Sequence, residues 1–178
     1  MMNLPSKAPA PTFDSPLDML HACHERIMDQ CATLQKLMSH LPMHGCDAQA
    51  QQAAQAIMRY FDTAGKFHHQ DEEEDLFPLL RATQNADAED LIKRLLDDHQ
   101  AMEAAWLNLR SQLQGIADGK SATLERNIVA DFSLAYGRHI MLENTKLLPL
   151  SARLLNEQQL HGIGKKMAAR RGVTLPQA

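Results

Sequence analysis

The sequence predicts an all-α protein: an up-down-up-down antiparallel four-helix bundle with an extra short C-terminal helix. Apolar residues recur every three or four positions through four long stretches, which is the spacing of one face of an α-helix. Alanine, leucine, methionine and glutamine dominate the composition, while β-branched residues, which favour strands, are sparse. The links between the four stretches are short, and short links make consecutive helices antiparallel neighbours.

Capping residues and helix breakers predict where each helix begins and ends. The candidate N-caps of the four long helices are Ser15, Asp47, Asp87 and Ser121. Pro16 suits the first helical position, whereas Pro42 and Gly45 are expected to end the first helix. The predicted helices cover residues 16–41, 48–80, 88–117 and 122–150, with a shorter helix over 157–171. The predicted units are a flexible lead-in at 1–15, the four-helix bundle at 16–150, and a C-terminal helix and tail at 151–178.

Charge, hydropathy and cysteine usage argue against several classes of protein. A formal charge of −4 and a pI near 6.1 give no electrostatic signal for nucleic-acid binding. No apolar run is long enough to span a membrane, and the first residues lack the apolar region of a signal peptide. The three cysteines, Cys23, Cys31 and Cys46, form no CxxC pair, and free thiols fit a reducing compartment. We therefore expect a cytoplasmic protein with no membrane or nucleic-acid partner.

An internal repeat carries the chemical signal of the sequence. Residues 68–78 and 139–149 both read H-x-x-x-E-x-x-x-L-[FL]-P, and every matched residue is offset by 71 positions. The first and third helices match less closely, through a leucine followed four positions later by His24 or His99. The chain is thus two helix pairs, and each pair contributes one single histidine and one H-x-x-x-E motif.

The spacing of these residues indicates metal binding. The candidate ligands are His24, His68, Glu72, His99, His139 and Glu143. Within each motif the histidine and the glutamate are four residues apart and therefore share one helix face. A single histidine on an apolar face is usually an ordinary core residue, but here each of the four helices carries one. Two buried carboxylates without cations would cost several kcal/mol each, so a pair of ions that shares both carboxylates explains the set.

Neighbouring residues leave some alternatives open. His69 and Glu73 form a competing pair four apart, but their repeat equivalents are Ile140 and Asn144, so the repeat favours His68 with Glu72. The carboxylate of residue 73 is instead a candidate to accept a hydrogen bond from a ligand histidine. Further candidates are Glu103 as a seventh ligand, His21 at the rim, and Tyr60 or Tyr136 as hydrogen-bonding groups.

These motifs resemble the hemerythrin-like family, also called the HHE cation-binding domain, from about residue 16 to residue 150. The resemblance implies a four-helix bundle with a non-haem di-iron centre. The terminal ligands that it implies are His24, His68, His99 and His139, and the bridging ligands are Glu72 and Glu143. An oxo or hydroxo bridge and at least one open coordination position would complete the two iron ions.

The chain departs from the oxygen-carrying members of this family, which have five histidines. Glu103 stands four residues after His99, where those proteins have a second histidine. A set of four histidines and two glutamates is more similar to the di-iron proteins that repair iron centres. The chain shows no cysteine-containing N-terminal domain of the kind that many of those proteins have.

We expect a di-iron protein that binds a small ligand such as O₂ or NO, in sensing, storage or carriage. The alternative is a di-iron oxidoreductase, or an iron donor for the repair of iron–sulfur clusters, that handles NO or peroxide stress. Enzymatic activity and protein partners stay open at this point.

Overall fold

Five helices account for most of residues 11–174, the part of the chain that this computed structural model describes. The first helix is Pro16–His44, the third is Ala86–Ala117 and the fifth is Glu157–Arg170. The second helix is continuous over 48–82 and the fourth over 126–154, and both contain π-helical turns. None of the helices in the described part combines the length and the apolarity needed to cross a bilayer. Most of the predicted lead-in (1–10) and the last residues of the tail (175–178) lie outside the described residues.

The four long helices form a closed bundle. The first helix packs on the second and the fourth, and the third helix packs on the same two. The links over 45–47, 83–85 and 118–125 are short, so consecutive helices run in opposite directions. The fifth helix packs against the first helix and against the π-helical turn Asp71–Leu76 of the second. The predicted all-α bundle with a short C-terminal helix is confirmed.

The N-caps agree with the sequence prediction at two of the four long helices. Ser15 precedes the first helix without a side-chain hydrogen bond, and Asp47 Oδ1 accepts a backbone N–H of the second helix at 2.8 Å. The prediction of Asp87 for the third helix is wrong. The cap is Asn85, two positions earlier in the chain than predicted. Its Oδ1 accepts a hydrogen bond from the N–H of Ala88 at 3.0 Å.

The end of the first helix also differs from the prediction, because the helix continues through Pro42. Pro42 lies in the last turn, so the hydrogen bond that it cannot donate and the crowding by its ring disturb only the end of the helix. Gly45 then stops the helix with a positive φ of 67°, a conformation that glycine adopts without steric cost.

The fourth helix begins at Arg126, later than a cap at Ser121 would allow. The N–H of Ser121 donates to the carbonyl of Gly115 at 3.1 Å, so this residue completes the turn that ends the third helix. Gln112 then exchanges two hydrogen bonds of 2.8 Å with Glu125, one to its backbone N–H and one to its carboxylate. These bonds hold the link against the third helix and delay the start of the fourth.

Wide π-helical turns occupy equivalent places in the two motif helices. The N–H of Phe77 bonds to the carbonyl of Glu72, and the N–H of Leu148 bonds to the carbonyl of Glu143, each five residues back. The motif proline follows immediately in both helices and lacks the N–H that would continue the ordinary pattern. Such turns are frequent at functional sites, and here each one includes the motif glutamate.

A third π-helical turn, Phe61–Gly65, changes the inner face of the second helix. The sequence predicts Ala64 and Leu79 on the buried stripe, but the structure buries Gly65 and Leu80 instead. Each π-helical turn inserts one residue, which rotates the following side chains by roughly 100°. A Cβ on Gly65 would lie 3.1 Å from the ring of Phe61, so the absence of a side chain leaves space for that ring.

The core of the bundle consists of two apolar clusters with a polar layer between them. One cluster includes Leu34, Ile57, Leu109 and Phe132. The other includes Leu20, Leu76, Leu95 and Leu147. Along each long helix the predicted metal ligands come between the residues of these two clusters. Polar side chains buried at this depth need partners to offset their lost hydration.

Candidate metal centre

Glu143 lies at the middle of the polar layer with an imidazole at each carboxylate oxygen. Nε2 of His24 is 3.0 Å from its Oε2, and Nε2 of His139 is 2.9 Å from its Oε1. None of the three side chains exposes more than 1% of its surface. The π-helical turn that contains Glu143 and the four-residue spacing from His139 bring these groups together on one face.

Glu72 occupies the equivalent position on the second helix. Its Oε1 is 3.6 Å from Nε2 of His68, and its Oε2 is 3.4 Å from Nε2 of His99. Each glutamate therefore faces a histidine of the first helix pair with one oxygen and a histidine of the second pair with the other. This is the arrangement expected of carboxylates that bridge two ions.

The donor atoms form two groups that share both glutamates. The first subsite consists of His24, His68, Glu72 and Glu143, and the second subsite consists of His99, His139, Glu72 and Glu143. Within each subsite the donor atoms lie within 4.8 Å of one another. The structure thus brings together all six residues that the sequence singles out, in two sets of nitrogen and oxygen donors that suit iron, manganese or zinc.

Buried atoms without hydrogen bonds indicate that cations fit this cluster. All carboxylate oxygens of Glu72 and Glu143 are buried and make no hydrogen bond within residues 11–174, and neither do the Nε2 atoms of the first-subsite histidines. One of those nitrogens is 3.0 Å from Glu143, but its orientation does not make a hydrogen bond. In the second subsite the Nε2 atoms of His99 and His139 face each other at 3.1 Å. Cations bound by these converging lone pairs would offset the cost of burying them.

Burial changes the proton affinities of the cluster in the metal-free protein. Burial and the neighbouring Glu143 raise the pKa of Glu72, since the charged form is poorly solvated and repelled. Burial and the nearby His24 lower the pKa of His68, and burial lowers the pKa of His99. The two imidazoles are therefore neutral and ready to bind a metal ion, whereas Glu72 holds a proton more tightly than an exposed glutamate. A proton on Glu72 competes with a metal ion for the same oxygens, so metal binding is expected to weaken as the pH falls.

The residue after each motif glutamate supports a histidine of the other helix pair. Nδ1 of His99 lies 2.6 Å from Glu73 Oε1, and Nδ1 of His24 lies 2.7 Å from Asn144 Oδ1. Glu73 and Asn144 are equivalent in the repeat, since they too are 71 positions apart. Each acceptor keeps the proton on Nδ1 and so leaves Nε2 free for a cation. Glu73 therefore lies where the sequence predicts a hydrogen-bond acceptor for a candidate ligand histidine.

The histidines of the two motifs, His68 and His139, differ in the group that faces their Nδ1 atom. Nδ1 of His139 has Asp98 Oδ2 at 3.5 Å, whereas Nδ1 of His68 is buried with no hydrogen-bond partner in the described part of the chain. Asp98 precedes the single histidine of the third helix, and Cys23 holds the corresponding place in the first. The second subsite is therefore backed by two carboxylates, and the first subsite by one amide.

His69 lies beside the second subsite, although the repeat argues against it as a ligand. Its ring stacks on His99 with centroids 4.0 Å apart and an interplanar angle of 15°. One of its ring nitrogens is within 4.8 Å of ring nitrogens of His99 and His139. Its Nε2 is buried and has no hydrogen-bond partner among residues 11–174. Sequence reasoning missed this contact because the repeat equivalent, Ile140, is apolar; the adjacent histidine at position 68 was the available signal.

The other candidates lie at the periphery. Glu103 is exposed and belongs to none of the donor groups in residues 11–174, so the structure does not support a seventh ligand there. His21 is exposed, with its ring centroid 6.4 Å from that of His24. Tyr136 is buried, and its ring is nearly parallel to that of His69 at 6.0 Å, whereas Tyr60 is only half-buried.

A cleft of about 560 Å³ reaches the second subsite from the surface between the second and third helices. Its lining includes His69, His99 and Tyr136. A salt bridge of 2.8 Å between Arg110 Nη2 and Asp62 Oδ2 lies at its solvent-exposed side. The histidines of the first subsite are not among the described residues that line this cleft.

The second helix has five consecutive acidic residues, 71–75, which include Glu72 of the candidate metal centre and also form salt bridges with the end of the fifth helix. Asp71 is fully buried, and its carboxylate bonds to both Arg170 and Arg171, with Arg171 Nη2 2.6 Å from Oδ2. Arg170 Nη2 also lies 2.9 Å from Asp75 Oδ2. We call these four residues the arginine clamp. It gives the C-terminal helix a structural role that its sequence did not reveal.

Comparison with known proteins agrees with this site. Residues 15–151 match the family described as the hemerythrin HHE cation binding domain, and this segment contains all six clustered residues. An uncharacterized protein of Haemophilus influenzae is 31% identical over 162 residues, which are 91% of this chain and 93% of that protein. The family match covers well over half of the chain, and the histidine and glutamate cluster fits a di-iron type of site. The chain therefore belongs to the hemerythrin family, as a metal-binding protein with an HHE cation-binding domain.

Proposed function

We propose that the protein holds a non-haem di-iron centre and binds a small ligand such as O₂ or NO there, in sensing, storage or carriage. The observation that carries this proposal is the sharing of Glu72 and Glu143 by two subsites. Each carboxylate faces one histidine of each subsite, which is a donor set for two ions rather than one. Family membership favours iron among the metals that such donors accept.

Each residue has a definite part in the proposed centre. The terminal ligands are His24, His68, His99 and His139, and the bridging ligands are Glu72 and Glu143. Glu73 and Asn144 orient two of the imidazoles, and apolar clusters pack on both sides of the layer. These side chains offer four donor atoms to each ion, fewer than the six of an octahedral ion. When bound, the iron ions supply an exchangeable coordination position and a redox change for the small ligand.

Anaerobic loading with ferrous iron tests the proposal. Metal analysis gives the iron content per chain, and titration with O₂ or NO followed by removal of the gas shows whether the visible spectrum changes reversibly. Two ions per chain and a reversible change support the proposal. A zinc-loaded protein without a redox response would overturn it. Irreversible oxidation with turnover of NO or peroxide would replace it with the alternative, a di-iron oxidoreductase or iron donor.

A cytoplasmic location is part of the same proposal. Cys23, Cys31 and Cys46 are all free thiols, and the first two are buried. Free thiols persist in reducing compartments, where disulfides are rare. Cell fractionation tests the location directly, and recovery of the protein outside the cytoplasmic fraction would contradict it.

A further inference from the structure

We infer that His69 donates a hydrogen bond to the small molecule that binds at the second subsite, without itself binding the metal. The inference rests on the proposed function, because it requires a ligand at the cation centre. It stands on the position of His69 in the cleft, on an unused ring nitrogen, and on the stacking of its ring.

The cleft leads to only one of the two subsites. Its lining includes His99 of the second subsite on the third helix, and His69 of the second helix, whose ring stacks on that of His99. A small molecule that enters from the surface therefore meets His69 and the second subsite together. The repeat equivalent of His69 is Ile140, which is buried in an apolar cluster and carries no hydrogen-bonding side chain.

The imidazole of His69 lies close to the second subsite and has a buried nitrogen without a partner among the described residues. Its Nε2 is buried and has no hydrogen-bond partner among the described residues. A ring nitrogen of the same side chain lies within 4.8 Å of ring nitrogens of both second-subsite histidines. A neutral imidazole carries one N–H and can place it on either nitrogen, so it can donate to a guest without changing its charge. A guest that accepts this hydrogen would satisfy a buried group that the protein leaves unpaired.

The ring geometry argues against His69 as a ligand of the same ion. An imidazole binds a cation through a lone pair that lies in the plane of its ring. The rings of His69 and His99 are stacked at 4.0 Å and are nearly parallel, so their planes do not meet near the site. If His99 binds the ion of the second subsite, His69 cannot bind that ion in this arrangement. The ring of His69 lies instead against the face of the His99 ring, where its N–H can donate a hydrogen bond to a small molecule bound at the second subsite.

Azide binding to the iron-loaded, oxidised protein tests the inference, because azide is a small anion that accepts hydrogen bonds. The main variant is His69→Phe, which keeps a ring to stack on His99 and removes the N–H. We expect two irons per chain, an unchanged spectrum without azide, and azide affinity lower by roughly 10- to 100-fold, the scale of one charge-assisted hydrogen bond. His69→Gln, which restores a donor, is expected to bind azide more tightly than His69→Phe. The control is His21→Ala, an exposed histidine beside the first subsite, which should leave azide affinity unchanged.

The outcomes separate this inference from the function on which it rests. Unchanged azide affinity in His69→Phe overturns the inference and leaves the proposed function intact. Loss of iron, or a changed spectrum before azide is added, also overturns it, because His69 then contributes to holding the metal site itself. Failure of the iron-loaded wild-type protein to bind azide, O₂ or NO overturns both, and it is the only result of this azide experiment that removes the proposed function.

Discussion

The two halves of the repeat supply equivalent candidate ligands but surround them differently. Behind the second subsite stand the carboxylates of Glu73 and Asp98, whereas the amide of Asn144 stands behind the first. The cleft and His69 also lie on the side of the second subsite. A negatively charged acceptor makes the histidine that it supports a stronger electron donor. The repeat thus builds two similar subsites, and the residues around them make the second one more basic and more accessible.

The fifth helix adds another difference between the halves. The arginine clamp joins the C-terminal end of the fifth helix to Asp71 and Asp75 of the second helix through salt bridges. Their repeat equivalents in the fourth helix are Leu142 and Lys146, which cannot pair with arginine. The C-terminal helix therefore stabilises one motif and leaves the other to the bundle alone. The two motifs therefore carry equivalent histidine and glutamate residues in different surroundings.

The largest effect is expected from replacing the proposed bridging glutamates, because each replacement should weaken metal binding at both subsites. Glu72→Ala and Glu143→Ala each take a donor from both ions, so each variant should lose most of its iron. Metal analysis of the purified, anaerobically loaded protein measures this loss. Glu103→Ala is the matched control, since this exposed glutamate lies in no donor group of the described residues. Retention of both ions in Glu72→Ala or Glu143→Ala would disprove the bridging role.

Removal of one histidine from each half should separate the subsites. His24→Ala takes a donor only from the first subsite and His99→Ala only from the second, so each variant should keep one ion tightly bound. Metal analysis gives the count, and Mössbauer spectroscopy of the remaining iron distinguishes the two sites. Identical spectra from the two variants would contradict the difference between the subsites.

The arginine clamp should contribute more to stability than any surface residue of the other half. Replacing both Arg170 and Arg171 with alanine leaves the fully buried Asp71 without a cation, at a cost of about 3 kcal/mol in the free energy of unfolding. Urea unfolding of the metal-free protein measures this cost. Lys146→Ala, at the exposed repeat equivalent of Asp75, should change stability by less than about 0.5 kcal/mol. Equal losses of unfolding free energy in the two variants would mean that the arginine clamp contributes no more to stability than an exposed residue of the fourth helix.

A smaller effect is expected from exchanging the acceptors that follow the motif glutamates. Glu73→Gln gives the second subsite the kind of support that the first has, and should weaken iron binding there by roughly 10- to 100-fold. Asn144→Asp should strengthen binding at the first subsite. Competition with a chelator measures both affinities. The idea that charge separates the subsites fails if neither affinity moves.

The motif residues could be located from the sequence because helical periodicity is strict over four residues. His68 with Glu72, and His139 with Glu143, had to share a face wherever a helix formed. The positions of Ala64 and Leu79 were wrong because π-helical turns add a residue without a clear sequence signal. His69 was set aside for a different reason: the repeat compares equivalent positions and cannot show which helix comes to lie beside each one.

The sequence by itself determined the all-α fold, the repeat and the identity of the six residues that cluster, because these follow from local spacing along a helix. Only the tertiary structure decided the rest. Packing of the four helices placed each glutamate between histidines of different pairs, and set Glu73 and Asn144 across from histidines far away in the chain. It also opened the cleft toward one subsite and brought the fifth helix onto Asp71. Contacts between distant segments depend on how whole helix faces fit together, and no spacing within one helix contains that information.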